Sequence, residues 1–339
     1  MSKLTQTQTI VALPAPTRRL TVTTSPDSKI QDTRETLFPN GGWDVHHHIF
    51  EPQRFKYAPD RHLTPPAASI DQFLQFKARL GLTHSVITHG LSYGDDCTSL
   101  RTFVPELDQT RTFAIGVIDP NLVTLDELDS MHQAGIRGIR VNLYKYGAMH
   151  DVELQKRALR DHAGILKKHC PGWSMAFTHI HPEFWGDLGE DARNIANSGI
   201  PLVTDHFALL KAASMLPVEH RGEVTAQPGF QEIMSLVRSG ALYVKISAPY
   251  RISELAPRYE DIRPIVVALV KANPRRVLWG SDWPHTPRMT VRSREDALRE
   301  TPFLDIDDEV WLHSLRSWLT AEQWDMIMVQ NPRELYGKA

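Results

Sequence analysis

The sequence is poor in cysteine and has no long apolar run. Its 339 residues include only two cysteines, Cys97 and Cys170, which lie far apart in the chain. Two distant thiols do not make a disulfide framework and they fit a reducing compartment, so we predict a cytoplasmic protein. No run approaches the roughly 20 apolar residues that a membrane helix needs, so we expect no membrane partner.

The chain also lacks a strong net charge and a glycine-rich phosphate loop. Lysine and arginine total 38 against 40 aspartates and glutamates, a net charge of −2. This balance gives no bulk attraction to nucleic acid, and no such partner is expected. A small-molecule substrate is the predicted partner, and a second copy of the chain, in a homo-oligomer, is a further candidate.

The first 41 residues differ in composition from the rest. They are rich in Ser, Thr and Pro, and the first acidic residue is Asp27. This composition favours an N-terminal extension, read as an extended arm, with an organelle transit peptide as the weaker alternative. We expect residues 42–339 to form one domain.

Within that domain, eight short apolar runs alternate with amphipathic stretches. The runs are WDVHHHI, THSVITHG, TFAIGVID, GIRGIRVN, WSMAFTHI, IPLVTDHF, ALYVKIS and RVLWGSD. Several are nearly continuous in Val, Ile and Leu, which is typical of parallel strands buried on both faces. Helical spacing recurs between them, for example over 69–81, 124–135 and 152–169. Residues 307–337 predict one or two closing helices.

Eight strand–helix units predict a single-domain α/β fold, the (β/α)8 TIM barrel. The rival is a doubly wound open sheet, which usually carries a G-x-G-x-x-G turn after its first strand. Here the first strand ends in histidines and no such turn follows.

Polar residues gather at the carboxyl ends of the predicted strands, where barrel enzymes carry their active sites. The candidates, in chain order, are His46, His48, His89, Arg140, Tyr146, His179, His181, Asp205, His206, Tyr250, Arg251, Asp282 and His285. Some have structural interpretations: Asp205 could cap the next helix, and His89 reads better as structural. Which of His179 and His181 faces the site depends on where the fifth strand ends.

Two local patterns are sharper than the rest. Strand alternation places His46, His48 and Asp44 on one face of the first strand and His47 on the other, against the helical layer. Arg140 lies inside an apolar strand, where a buried guanidinium needs an anionic partner. A protein carboxylate or a substrate carboxylate or carbonyl would serve.

Together, WDVHHHIF, GIRGIRVN, TDHF and WGSDWPH resemble the amidohydrolase superfamily (amidohydrolase-related family 2). More narrowly, they resemble its lactonase branch, typified by 2-pyrone-4,6-dicarboxylate lactonase and the sugar-acid lactonases. The resemblance spans the chain from about Trp43 to the C-terminal NPRELYG. It implies a hydrolase that opens a lactone ring in a catabolic reaction.

The resemblance also implies roles for single residues. Asp282 matches the family's general base, and His46, His48 and His206 match the histidines that face it. Arg140 and Arg251 match substrate-binding arginines, and Tyr250, Tyr146 and His285 are second-rank pocket candidates. The branch resembled here works without a metal, so we favour no cofactor. The alternative is one Zn²⁺ or Mn²⁺ held by His46, His48, His206 and Asp282, with His179 as a further ligand.

Two departures from the family refine this prediction. Asn142 and Lys145 stand near the place where metal-dependent members carry a carbamylated lysine or a glutamate, so no two-metal centre is expected. Tyr146 stands where the dicarboxylate lactonase has an arginine, which favours a lactone with one carboxylate or with phenolic or neutral groups. Rival functions are a metal-dependent decarboxylase of an aromatic acid and a non-catalytic binding barrel.

Three loops are expected to set the substrate. They cover residues 50–69, 92–100 and 208–229.

Overall fold

The computed structural model describes residues 37–288, 290 and 292–337. Of the predicted N-terminal extension, residues 1–36 lie outside the described residues. Phe38 is already packed in the core, with its ring 4.9 Å from that of Trp279. Ordered packing of the domain therefore begins a few residues before the predicted boundary.

The predicted barrel is confirmed. The strands are β1 Trp43–His47, β2 His84–Thr88, β3 Thr112–Gly116, β4 Ile136–Arg140, β5 Ser174–Ala176, β6 Leu202–Thr204, β7 Tyr243–Ile246 and β8 Val277–Trp279. Each falls inside one of the eight apolar runs. Neighbouring strands pair in parallel in the order β1 to β8, which is the strand order of a (β/α)8 barrel.

The barrel is closed by hydrogen bonds just beyond β8. The Asp282 amide donates to the His46 carbonyl at 2.7 Å, and the His48 amide donates to the Trp283 carbonyl at 2.8 Å. Gly280 makes this approach possible, because a Cβ atom there would lie 2.5 Å from the Cβ of His46. Closure thus brings the residue after β8 directly beside the histidines of β1.

Helices connect the strands and cover the outside of the barrel. They are α1 Ile70–Leu80, α2 Thr98–Glu106, α3 Leu125–Gln133, α4 Val152–His169, α5 Trp185–Asn197, α6 Phe230–Ser239, α7 Arg263–Ala272, α8 Arg294–Leu298, α9 Asp308–Ser317, α10 Ala321–Asp325 and α11 Asn331–Tyr336. The Ser69 side chain caps α1 in a capping box with Gln72, and Gly81 ends it in the left-handed conformation. A π-helical turn joins α10 to α11, so the C-terminal segment forms two helical bodies.

The end of the barrel opposite the strand carboxyl termini is filled by apolar side chains. Val45, Val86 and Leu278 belong to one buried cluster that also includes Leu335 and Tyr336 of α11. Helix α11 therefore covers this end of the barrel interior. No helix in the described part of the chain is long and apolar enough to span a membrane.

Candidate active site

A cavity of about 70 Å³ opens at the carboxyl ends of the strands. Its lining includes His46, His48, Arg140, His206, Arg251 and Asp282, which are the six highest-ranked site residues from the sequence. They come from the ends of five different strands, which is the arrangement expected of a barrel active site. A second cavity of about 890 Å³ adjoins it and shares His62, Leu91, Tyr144 and Arg292.

Asp282 lies at the floor of the cavity with one carboxylate oxygen engaged and the other free. Its Oδ2 accepts hydrogen bonds from the Tyr250 hydroxyl at 2.5 Å and from Nη2 of Arg251 at 2.7 Å. Its Oδ1 has no hydrogen-bond partner among the described residues. Burial disfavours ionisation, but the Arg251 guanidinium and the surrounding imidazoles together outweigh it and hold the pKa of Asp282 well below its usual range. The carboxylate is therefore ionised and presents one free oxygen.

Three imidazoles surround that free oxygen. The Nε2 atoms of His46, His48 and His206 lie 3.4, 3.4 and 4.0 Å from Asp282 Oδ1. On the far side of two of these rings, Nδ1 makes a hydrogen bond. Nδ1 of His48 is bonded to the Thr88 carbonyl at 2.8 Å, and Nδ1 of His206 is bonded to the Ser247 hydroxyl at 2.9 Å. A carbonyl can only accept, so Nδ1 of His48 carries a proton, and the tautomer with that proton presents a lone pair at Nε2.

His206 is placed by an unusual stretch of backbone. Residues 206–209 all have left-handed backbone angles, with φ between 53° and 58°. Asp282 also has a positive φ, of 62°. Left-handed conformations cost free energy for non-glycine residues and persist only where surrounding structure holds them, and they cluster at active sites.

Behind the histidines lies a buried ion pair that the sequence analysis did not predict. Lys245 on β7 is fully buried, and its Nζ lies 3.1 Å from Oδ1 of Asp205. The same Asp205 oxygen lies 3.1 Å from Nδ1 of His46, and its other oxygen accepts from the Thr178 hydroxyl at 2.8 Å. Asp205 makes no side-chain capping bond, so the interpretation of it as a helix cap is wrong. A lysine inside the apolar run ALYVKIS was the available signal, by the argument already applied to Arg140.

The two predicted substrate arginines are in different situations. Arg251 gives two of its nitrogens to Asp282 and binds the Pro287 carbonyl, so its hydrogen bonds orient the carboxylate. Arg140 donates only to the His89 carbonyl, at 3.1 Å, and no carboxylate of the described residues lies within ion-pair distance. The protein carboxylate considered as a partner for Arg140 is therefore absent from the described residues, and the guanidinium is available to an anion in the cavity.

The three second-rank pocket residues are not among those that line the cavity, which corrects their predicted positions. Tyr250 contacts Asp282 but does not line the cavity. The Tyr146 ring lies beside His162, away from the cavity, and Tyr144 lines it instead. His285 pairs with Asp308 at 2.9 Å and faces a separate cleft beside α1.

His179 and His181 both lie outside the cavity. His179 is buried among Phe177, Phe184 and Trp185, and neither of its ring nitrogens has a hydrogen-bond partner in the described chain. His181 pairs with His150 at 2.7 Å. Neither reaches the place of a fifth metal ligand. The His89 ring does not line the cavity and is bonded to the Gly94 carbonyl, in keeping with its structural interpretation.

Asn142 and Lys145, the residues near strand four that depart from the metal-dependent members of the family, both lie outside the cavity lining. Lys145 is half-exposed and pairs with Asp95 and with Asp119, outside the cavity lining. Asn142 accepts a hydrogen bond from the Lys145 amide. Neither residue is placed to hold a second metal ion.

The first strand departs from strict alternation. Val45 belongs to the interior cluster and His46 beside it contacts Asp205 and Lys245, because the register shifts between Asp44 and His47. His47 stacks on Phe73 of α1 at 3.8 Å, which confirms that it faces the helical layer. Asp44 does not share the face of His46: it accepts hydrogen bonds from the Ser281 amide and hydroxyl, and burial raises its pKa to about 6.

Three further basic residues line the cavity and were missed. His62 comes from the loop after β1, and Arg288 and Arg292 come from the loop after β8. The His62 ring stacks on Tyr144 at 4.0 Å, and burial lowers its pKa to about 4. The loop over 50–69 was expected to shape the site, but sequence alone does not say which of its side chains points inward. The loop over 92–100 supplies no basic group, and the loop over 208–229 contributes no residue to the lining.

The donor set fits one divalent cation. One nitrogen each of His46 and His48 and one oxygen of Asp282 lie within 4.8 Å of one another, as do atoms of His46, Asp205 and His206. The free Oδ1 of Asp282 faces the Nε2 lone pair of His48, so two acceptors lie opposite each other with no donor between them. Such a pair suits a shared cation, either a proton or a metal ion.

Comparison with known proteins places this geometry in a family. The chain is 29% identical over 308 residues to the 4-sulfomuconolactone hydrolase of Hydrogenophaga intermedia, covering 89% of this chain and 90% of that protein. It is 28% identical over 317 residues to the 2-pyrone-4,6-dicarboxylate hydrolase of Comamonas testosteroni, covering 88% and 90%.

A solved structure from Agrobacterium tumefaciens matches 89% of this chain and 97% of its own, with a TM-score of 0.69 at 20% identity, which supports the barrel fold. The amidohydrolase family model matches residues 43–338, which is nearly the whole of the described barrel. The chain belongs to the amidohydrolase family.

Proposed function

We propose that the protein hydrolyses a lactone, opening the ring to a hydroxy acid. The observation that carries the proposal is Asp282, an ionised carboxylate with one free oxygen at the floor of the cavity, beside three imidazole Nε2 atoms. Two relatives that span nearly the same length of chain are named as hydrolases of 4-sulfomuconolactone and 2-pyrone-4,6-dicarboxylate. A lactone is an activated ester, and its hydrolysis needs a base for water and donors for the oxyanion.

In this proposal Asp282 Oδ1 accepts a proton from water as the water oxygen attacks the lactone carbonyl carbon. Tyr250 and Arg251 hold Oδ2 and so aim Oδ1 into the cavity. The ring C–O bond then breaks, and the proton held by Asp282 passes to the leaving alkoxide. His48 can donate to the oxyanion only as an imidazolium, because its Nδ1 proton is committed to the Thr88 carbonyl.

The substrate that fits the cavity carries acidic groups. Arg140, Arg288 and Arg292 line it, and among the described residues none of them has a carboxylate within ion-pair distance. Unpaired guanidinium groups at a cavity are suited to bidentate recognition of carboxylates or sulfonates. We therefore propose a lactone with two acidic groups, and this revises the single-carboxylate expectation, which rested on Tyr146.

The preference for hydrolysis without a metal stays a prediction. When bound, a divalent ion held by His46, His48 and Asp282 would supply Lewis-acid polarisation of the carbonyl.

The test is a panel of lactones assayed by ring opening. It contains a lactone with two acidic groups, its monoester and its diester, each with and without prior treatment with a chelator. We expect hydrolysis in the order two acids, one acid, none, and no effect of the chelator.

Other results would identify the rivals. Release of CO₂ from an aromatic acid, with loss of activity on chelation and recovery with Zn²⁺ or Mn²⁺, would replace the hydrolase with a decarboxylase. Binding of the lactones without turnover would indicate a non-catalytic barrel. Equal rates on the diacid and diester would contradict the proposed role of the arginines.

A further inference from the structure

Lys245 is a buried lysine that the proposed reaction does not use. It lies on β7 with no exposed surface, flanked by Val244 and Ile246. Its Nζ lies 3.1 Å from Asp205 Oδ1 and 3.2 Å from His46 Nδ1. Burying an ammonium group is costly unless it is paired and hydrogen-bonded, so both contacts need an explanation.

The three groups form a triangle in which the roles of two are fixed. A lysine ammonium can only donate, and the ionised carboxylate of Asp205 can only accept. The second oxygen of Asp205 is already bonded to the Thr178 hydroxyl. In a neutral ring, Nδ1 of His46 therefore either donates to Asp205 or accepts from Lys245.

The opposite side of the His46 ring discriminates between these arrangements. Nε2 lies 3.4 Å from the free Oδ1 of Asp282. If Nδ1 carries the proton, Lys245 faces an N–H group at 3.2 Å, and the Nε2 lone pair faces a carboxylate oxygen. If Nδ1 accepts from Lys245, Nε2 carries the proton and points it at that oxygen. Of the two neutral tautomers, only the second pairs a donor with an acceptor at both nitrogens.

We propose that Lys245 is a positioning residue that holds His46 as the tautomer with its proton on Nε2. His46 then presents an N–H group to the cavity, suited to a developing oxyanion, while His48, fixed through Thr88, presents a lone pair. The two histidines of the HxH pair thus have opposite roles. The same proton keeps a lone pair of His46 from a metal ion, so Lys245 weakens metal binding at this site.

The assignment rests on the proposed hydrolase site, but its first test needs no substrate and so can fail independently of the lactone panel. Protein labelled with ¹⁵N-histidine is studied by long-range ¹H–¹⁵N correlation, and the His46 signals are identified by their loss in His46→Gln. We expect His46 protonated on Nε2 and His48 protonated on Nδ1, the latter serving as an internal control. A His46 ring protonated on Nδ1 in the wild-type protein would overturn the proposal.

The second test replaces Lys245 by methionine, which has a similar length and no donor. We expect the His46 proton to move to Nδ1, and the affinity for Zn²⁺, measured by competition with a chromophoric chelator, to rise at least about tenfold. Lys77→Met, a half-buried lysine on α1, is the matched control and should change neither quantity. A folded Lys245→Met protein with the wild-type tautomer and the wild-type Zn²⁺ affinity would contradict the proposal. If the variant does not fold, the wild-type spectrum decides.

Discussion

The two ends of the barrel interior are built from the same strands but from opposite chemistry. At the amino end, Val45 of β1 and Leu278 of β8 are fully buried in an apolar cluster closed by Tyr336. At the carboxyl end, His46 of β1 and Asp282 after β8 belong to a buried network of charges. Only one or a few residues along a strand separate the apolar end from the charged end. We expect substitutions at the apolar end to change stability and substitutions at the charged end to change activity.

The charged end is costly to maintain. Asp205 and Asp282 are fully buried and are compensated by Lys245 and Arg251, while Arg140 has no such partner among the described residues. Buried ion pairs seldom stabilise a fold relative to apolar packing, because desolvation offsets their attraction. We therefore infer that packing at the apolar end provides most of the folding free energy and offsets the cost of burying the charges at the other end.

The largest expected effect comes from removing the base at the charged end. Asp282→Asn keeps the size of the side chain but cannot accept a proton from water, so kcat on a lactone should fall by about 10²–10⁴-fold. Asp308→Asn changes a buried aspartate that pairs with His285 outside the cavity, and it should leave kcat little changed. Substantial turnover by folded Asp282→Asn would remove Asp282 from its assigned role.

A substitution at the apolar end should do the reverse. Leu278→Ala leaves a cavity in the buried cluster, and we expect the free energy of unfolding to fall by about 2–5 kcal/mol. KM and kcat, measured well below the melting temperature, should stay close to the wild-type values. A loss of activity in the folded variant would show that the two ends are coupled and would break the comparison.

The strands and the site residues at their ends could be predicted from the sequence, but the positions of residues further along the loops could not. The apolar runs located every strand, since parallel strands buried on both faces have a distinctive composition. The rule that chemistry lies at strand carboxyl ends located His46, His48, His206 and Asp282. It could not place Tyr146 or His285, because a residue beyond a strand end follows the loop, and the direction of a loop depends on tertiary packing.

The bulge in β1 shows a second limit. Alternation correctly placed His47 against Phe73 but misplaced Asp44, because one extra residue reverses the faces on one side of it. A helix was expected between β5 and β6, but no helical spacing was recognised over the stretch that forms α5, Trp185–Asn197. Its buried face includes Gly189 and Asp191, which blur the apolar periodicity.

Arg140 gives a smaller effect that sharpens the comparison. Arg140→Met removes the guanidinium that faces the cavity, and we expect KM for a doubly acidic lactone to rise about 10–100-fold, with little change for its diester. The free energy of unfolding should not fall, because the lost group is a cation with no carboxylate partner in the described chain. Arg137→Met, on the same strand but bonded to the His132 carbonyl, is the matched control and should leave KM unchanged. Equal increases of KM for diacid and diester would argue against recognition of charge.

The smallest expected effect concerns His179, a polar residue beyond β5 that lies in neither interior layer. It is packed between Phe177 and Trp185, and burial lowers its pKa to about 3. The unfolded chain takes up a proton near pH 6.5 and the folded chain does not, so this residue lowers stability as the pH falls from about 6.5 towards 3. His179→Phe should therefore raise the free energy of unfolding at pH 5 relative to pH 8, by about 2 kcal/mol. Chemical denaturation at the two pH values measures this difference, with His220→Phe, at an exposed histidine, as the control. An identical effect of His179→Phe at both pH values would mean that His179 takes up its proton in the folded state, and that the space around it is open to water.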